Sequence, residues 1–278
     1  MKIIRVFPRR TNQTPTDEDA YIGYPTLFSK ADKINISVTF TWDLKYAEEL
    51  AKQWEQIAPV EIGGVATGAK GGEFEVGMYL KKGNVITSRG CPNRCWFCSV
   101  WKREGNVMRE LEIKQGWNVQ DDNLLACSER HIRGVFKMLK NNNKTREQRV
   151  MFNGGFEAAR LKDWHIDLLV DLKPHQVFFA YDTPDSYEPL VEAGKRLKET
   201  RLNNGRTLRS YVLIGHPKDT FEKAERRLRE SWSAGFLPMA MLWRNDKGER
   251  DREWRKFQIL WSMPATIIKL LENPKGGL

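Results

Sequence analysis

From residue 84 to residue 242 the chain alternates short apolar runs with amphipathic stretches of helical period. That alternation restricts it to an α/β fold built on parallel strands. The series opens with Asn84-Val85-Ile86-Thr87 and continues with Trp117-Asn118-Val119-Gln120. Ser128 to Leu139 then places Ile132, Val135, Phe136 and Leu139 on one helical face, with Ser128 as an N-cap, and Asn141–Lys144 breaks the helix. Arg149-Val150-Met151-Phe152 reads as a strand ending in Asn153-Gly154-Gly155, and Trp164 to Leu172 as a helix. Gln176 to Tyr181 (QVFFAY) is a nearly continuous apolar run, the pattern of a parallel strand buried on both faces. A helix from Pro189 to Thr200, a strand Arg209–Ile214, a helix capped by Asp219 or Thr220 and running to Ser233, and a strand Phe236–Leu242 complete six β/α units. Upstream, residues 33–67 read as strand Ile34–Phe40, helix Asp43–Gln56 and strand Val60–Ile62, followed by Gly63-Gly64.

The longest uncharged run, Ser231 to Trp243, has 13 residues and contains Pro238. A spanning helix needs about 20 apolar residues, which excludes a transmembrane reading. Arg5, Arg9 and Arg10 surround a very short apolar stretch unlike a signal peptide, so a cytoplasmic protein is expected.

Three of the four cysteines lie within eight residues, in Gly90-Cys91-Pro92-Asn93-Arg94-Cys95-Trp96-Phe97-Cys98, a C-x3-C-x2-C spacing. In a reducing compartment clustered thiols read as metal ligands or redox groups rather than disulfides. A closed zinc site needs four ligands, and only Cys127 and four scattered histidines remain to complete one. Three thiolates on one loop suit an iron–sulfur cube with one iron open to a small molecule.

At this point the sequence resembles the radical S-adenosylmethionine (radical SAM) superfamily, whose signature is C-x3-C-x-aromatic-C, with Phe97 at the aromatic position. The strand ends at Asp121-Asp122-Asn123, the Phe178–Thr183 stretch and Tyr211–Pro217 followed by Asp219-Thr220 are similar to its cobalamin-associated and methylthiotransferase-like branch. No D-x-H-x-x-G motif of a cobalamin site occurs. The resemblance implies an α/β fold with a partial (β/α)6 radical SAM barrel over residues 81–243, a small degenerate Rossmann-like α/β region over 1–80, and a basic helical extension over 244–278. It implies a 4Fe–4S cluster on Cys91, Cys95 and Cys98 that reductively cleaves S-adenosylmethionine to a 5′-deoxyadenosyl radical. That radical abstracts hydrogen from an unidentified substrate, with an outcome of the oxidoreductase or transferase type. Such chemistry needs an external one-electron reductant of the flavodoxin or ferredoxin type.

Carboxylates at strand ends are the partners that a cationic donor requires. Asp121 and Asp122 are the candidates for the ammonium of S-adenosylmethionine and Asp182 for its ribose hydroxyls; each also reads as a cap or turn carboxylate. Asn153 and Gly154 allow close backbone approach. Gly215 and His216 match where the family packs adenine, and His216 reads equally as a turn residue. Cys127 reads as a buried structural thiol.

Net charge is +10, and residues 201–278 hold 16 basic and nine acidic side chains, so +7 of the excess lies there. Trp243, Arg244, Arg250, Trp254, Arg255, Lys256 and Trp261 interleave aromatic and basic groups, as for stacking on nucleic acid. Trp254, Phe257, Leu260 and Trp261 also have the spacing of a helix closing the sheet. Two alternatives therefore stand beside the first reading: a radical SAM enzyme modifying nucleic acid, and a zinc or iron–sulfur module that binds nucleic acid without catalysis. The substrate is unidentified and expected to be anionic or a nucleic acid, with no membrane partner.

Overall fold

The computed structural model describes residues 1–27, 29–142, 145 and 148–272. The chain divides into two units, Met1–Gly116 with Asn245–Gly248, and Trp117–Arg244 with Glu249–Leu278.

In the first unit strands β1 (Ile3–Phe7), β2 (Ala20–Ile22) and β3 (Lys33–Ser37) are followed by helix α1 (Leu44–Trp54) and strand β4 (Val60–Gly63). All pairings are parallel and the order is β2-β1-β3-β4. Parallel neighbours need a crossover, and α1 supplies it between β3 and β4. Alternate strand residues Ile4, Val6, Ile34 and Ile36 meet Ala47, Leu50 and Trp54 of α1 in one buried cluster. The indole of Trp54 donates to the Gly23 carbonyl at 3.0 Å, so the largest side chain of that core is also satisfied. The strand–helix–strand expected between residues 33 and 67 is present. Beyond it lie β5 (Asn84–Val85), β6 (Ser88–Arg89), α2 (Val100–Arg103) and β7 (Arg109–Glu110), with β6 and β7 antiparallel.

The second unit carries the alternation read from the sequence. It runs β8 (Asn118–Val119), α3 (Glu129–Asn142), β9 (Met151–Phe156), α4 (Asp163–Leu172), β10 (Gln176–Tyr181), α5 (Tyr187–Lys198), β11 (Leu208–Ile214), α6 (Phe221–Ser233), β12 (Leu237–Leu242), α7 (Arg252–Leu260) and α8 (Pro264–Glu272). Its strands lie in the order β12-β11-β10-β9-β8, every neighbour parallel. The protein is thus a mixed α/β protein with parallel sheets. Of the segment expected to end α3, Asn143 and Lys144 lie outside the described residues, as do residues 273–278 of the C-terminal extension.

Register decides which side chains share a face of this sheet. Val177, Phe179 and Tyr181 of β10 point to the helices: Tyr181 touches Tyr187 of α5 and hydrogen-bonds Glu230 of α6 at 2.5 Å. Val119, Phe152, Val212 and Ile214 share that buried side, and Phe136 of α3 stacks on Phe152. Phe178 and Ala180 point the other way. Phe178 is in register with Arg209 and Ala180 with Tyr211, so these four lie on the second face. The helix-covered face is mainly hydrocarbon, with the Tyr181 phenol paired to Glu230; the other carries a guanidinium and a phenol.

Helix α7 takes the closing role that the spacing allowed. Phe257 and Trp261 are buried, and Trp254 packs on Phe221 and Phe257. No described helix is long and apolar enough to cross a membrane.

Candidate functional site

The residues singled out in the sequence fall into different units. Cys91, Cys95, Phe97 and Cys98 belong to the first, while Asp121, Asp122, Asn153, Gly154, Asp182, Gly215 and His216 belong to the second.

The cysteine loop is tied down by backbone bonds of its own: the Cys98 amide donates to the Cys95 carbonyl at 3.1 Å and the Cys91 amide to Gly105 at 3.4 Å. The Trp101 indole donates to the same Cys95 carbonyl at 3.0 Å, and Phe97 meets Trp96 edge to face. The buried charge beside it is Glu104. Its carboxylate takes Arg109 at 2.7 Å, Arg103 at 3.2 Å and the Gly71 amide at 3.2 Å, with Arg89 at 3.8 Å. Three half-buried thiols on this loop do not amount to a ligand set. Among the described residues, no group of three or more His, Cys, Asp or Glu side chains is placed to hold a metal ion. The 4Fe–4S site expected on Cys91, Cys95 and Cys98 is corrected accordingly: close spacing in the chain is not a ligand set, and the described residues form none here.

In the second unit the carboxyl ends of the strands gather the remaining candidates. A packing gap there, too small to hold a water, is bounded by Val119, Asp121, Leu124, Phe152, Gly154, Gly155 and Phe156. Asp121 is buried and Asp122 half-buried. Gly154 fits because nothing larger does: a Cβ on it would stand 1.9 Å from the Asp121 carbonyl oxygen. Asn123, next along, donates to Glu157 at 2.7 Å, and Glu157 is in turn held by Arg160 at 2.6 Å.

Asp182, Gly215 and His216 surround one buried ion pair. Arg227 of α6 forks onto Asp219, at 2.8 and 3.1 Å, and also donates to the Leu213 carbonyl at 2.8 Å. Asp219 further accepts the Gly215 amide at 2.8 Å, which fixes the turn after β11. His216 stays beside its own turn, with Nδ1 2.9 Å from the Pro217 carbonyl. Gly215 has φ near +70°, and a Cβ there would press on Leu242 at 2.6 Å and Trp254 at 3.0 Å. Thr220, not Asp219, caps α6, by accepting the Lys223 amide. Burial pushes the Asp182 carboxyl up to about 6, against the lowering pull of the Leu213 amide and Arg227. It titrates within reach of neutral pH.

The second sheet face holds residues that sequence reading passed over. Tyr211 lies flat on Phe178, with ring centroids 4.3 Å apart, and its hydroxyl donates to the Asn153 carbonyl at 3.1 Å. Burial pushes that phenol up to about 12, so at neutral pH it is a donor. The Arg209 guanidinium sits 5.1 Å from the centre of the same Phe178 ring. The signal was present in the strand Leu-Arg-Ser-Tyr: Arg209 and Tyr211, two apart, share one face. Asn153, singled out for its neighbouring glycines, joins this face through Tyr211, and its side-chain oxygen is buried without a hydrogen-bond partner.

No family model matches the chain. It is 28% identical over 134 residues to a protein described as "Uncharacterized methyltransferase sll1242", from Synechocystis sp. (strain ATCC 27184 / PCC 6803 / Kazusa). The match takes in 42% of this chain and 24% of that relative, so the chain spans about a quarter of the relative's length. These findings overturn the radical SAM reading. The family signature is answered by no family match, the relative is described by methyl transfer, and the thiols form no metal-ligand group among the described residues. The alternatives built on the same cluster, a nucleic-acid-modifying radical enzyme and a zinc or iron–sulfur binding module, are withdrawn with it.

Proposed function

We propose that this chain binds S-adenosylmethionine at the carboxyl edge of the second sheet and takes part in methyl transfer from it. The observation that carries the reading is the match to a protein described as a methyltransferase. Three features of the second unit suit such a donor. Asp121 and Asp122 place carboxylates at a strand end, where a ligand ammonium is favoured. Gly154 lets β9 pack directly on the Asp121 backbone, and beside it the buried Asn153 side-chain oxygen has no partner of its own. Asp182 is the carboxylate for the ribose hydroxyls, and the Gly215–His216 turn is the adenine wall.

When bound, S-adenosylmethionine supplies an electrophilic methyl carbon whose transfer leaves a neutral thioether. The chain's own contribution is orientation. Arg227 and Asp219 hold the turn after β11, Asp182 turns anionic above about pH 6, and Tyr211 keeps its proton and holds Asn153 in place. The sulfonium is best received where water is thin and fixed dipoles are many.

Calorimetry of the full chain with S-adenosylmethionine and S-adenosylhomocysteine tests this. One saturable site for each is expected, weakened about tenfold in Asp182→Asn by loss of charge-assisted hydrogen bonds. Heat-silent titrations with both compounds up to millimolar concentration, on folded protein, would overturn the proposal.

A further inference from the structure

Arg209 is 7% exposed, and neither its Nε nor its Nη2 has a hydrogen-bond partner. No carboxylate bears on it among the described residues; burial and Tyr211 are the influences that act. A guanidinium does not deprotonate in a protein, and an isolated buried charge is among the costliest groups a fold can hold. The aromatic face of Phe178 offsets part of that cost and leaves the N–H donors unmet. Nearby on the same face, the buried Asn153 side-chain oxygen is also unmet, while Tyr211, stacked on Phe178, donates to the backbone carbonyl of that same residue. The unmet donors and the unmet acceptor thus belong to one patch of three adjacent strands, β9, β10 and β11.

We infer that Arg209 is the anchor of a buried anion subsite on this face, one that receives a carboxylate on its unpaired Nε and Nη2 donors. A carboxylate matches that fork with two parallel hydrogen bonds. The Asn153 oxygen, an acceptor, receives an N–H or O–H of the same ligand. Two ligands carry such a group: the methionine end of the methyl donor, and an acidic acceptor substrate. The subsite stands on the unpaired arginine and does not depend on methyl transfer.

The test uses the full chain with 15N-labelled arginine. The Arg209 Nε–H resonance is assigned by its loss in Arg209→Met, or in Arg209→Lys if the Met variant fails to fold. Sodium acetate is titrated against sodium chloride at equal ionic strength. A saturable shift confined to that resonance is expected with acetate, together with a rise in melting temperature that the variant loses. The affinity for acetate should fall at least tenfold in the variant. A resonance that ignores acetate overturns the inference, because the guanidinium is then sealed and structural. Given an acetate response, the source follows from two further titrations. S-adenosylmethionine that moves the signal, while its decarboxylated analogue binds without moving it, places the donor's carboxylate on Arg209. Acetate that still moves the signal with the donor bound places an acceptor's carboxylate there. If neither donor compound binds, the methyl-transfer reading fails while the acetate result still decides the subsite.

Discussion

Two arginines of the second unit are buried to nearly the same depth, Arg227 at 9% exposure and Arg209 at 7%, yet the fold treats them differently. Arg227 spans the turn after β11: it has both oxygens of Asp219 and the Leu213 carbonyl. Arg209, on the sheet face, has an aromatic ring and no carboxylate. The first charge is neutralised by the chain and belongs to the architecture. The second is left for something the chain does not supply. Burial alone does not separate a structural cation from a binding one; the inventory of its partners does.

The largest expected effect tests that contrast directly. Arg227→Met strands the fully buried Asp219 carboxylate, and losing one member of a buried pair costs about 3–5 kcal/mol. Arg209→Met removes a charge that pairs with nothing, so its cost in urea denaturation should stay below about 1 kcal/mol, or change sign. Equal losses in the two variants would erase the distinction.

A smaller effect separates the two regions by pH. Asp182, beside Arg227, has its carboxyl raised from 3.8 to about 6. Between those values the folded state holds the proton more tightly than the unfolded chain, so stability falls as pH rises through the window and stays reduced above it. His165 is buried in α4, and its Nδ1 accepts the Lys162 amide at 3.0 Å. Burial lowers its imidazole from 6.5 to about 4. There the unfolded state holds the proton more tightly, so stability rises with pH through the window and is lost on acidification. The two slopes oppose each other, and the wild type should be nearly flat between about pH 4 and pH 6. Asp182→Asn should be more stable than wild type at pH 7.5, by about 2 kcal/mol, from roughly two pH units at 1.36 kcal/mol each with some loss to relaxation. Its stability should then climb visibly from pH 4 to pH 6. His165→Gln keeps an acceptor for the Lys162 amide and should show the opposite slope. Thermal melts across pH in matched buffers read both; a variant curve parallel to that of the wild type would remove the assigned group from the account.

The difference between the arginines also marks what the sequence disclosed. β10 was legible because a strand buried on both faces writes its apolar run without interruption, and α7 because Trp254, Phe257 and Trp261 keep helical spacing. Asp182 and Gly215 were legible as strand-end residues, since the chain turns where its apolar run stops. Arg209 was not, because its meaning rests on register with Phe178 and on missing partners, and neither is a local property. The cysteines show the reverse failure. C-x3-C-x2-C is a strong local pattern, but ligand geometry is three-dimensional, and the described residues hold no metal-ligand group there. Asp219 and Thr220 were interchangeable as caps on paper; burial gave one to Arg227 and left the other to the helix.

The smallest prediction concerns that division. Thr220 accepts the Lys223 amide at 3.3 Å, a long bond, so Thr220→Ala should cost near the lower end of the capping range, about 0.5–1 kcal/mol. Arg227 lies on α6 two turns further along, and its three bonds run to Asp219 and Leu213 rather than to the cap. The cap and the ion pair should therefore contribute independently. In urea denaturation the double variant Thr220→Ala with Arg227→Met should lose the sum of the two single losses to within about 0.5 kcal/mol. A larger deviation would mean that the first turn of α6 positions the arginine. The neutralised cation would then owe its place to the helix start as well as to its carboxylate.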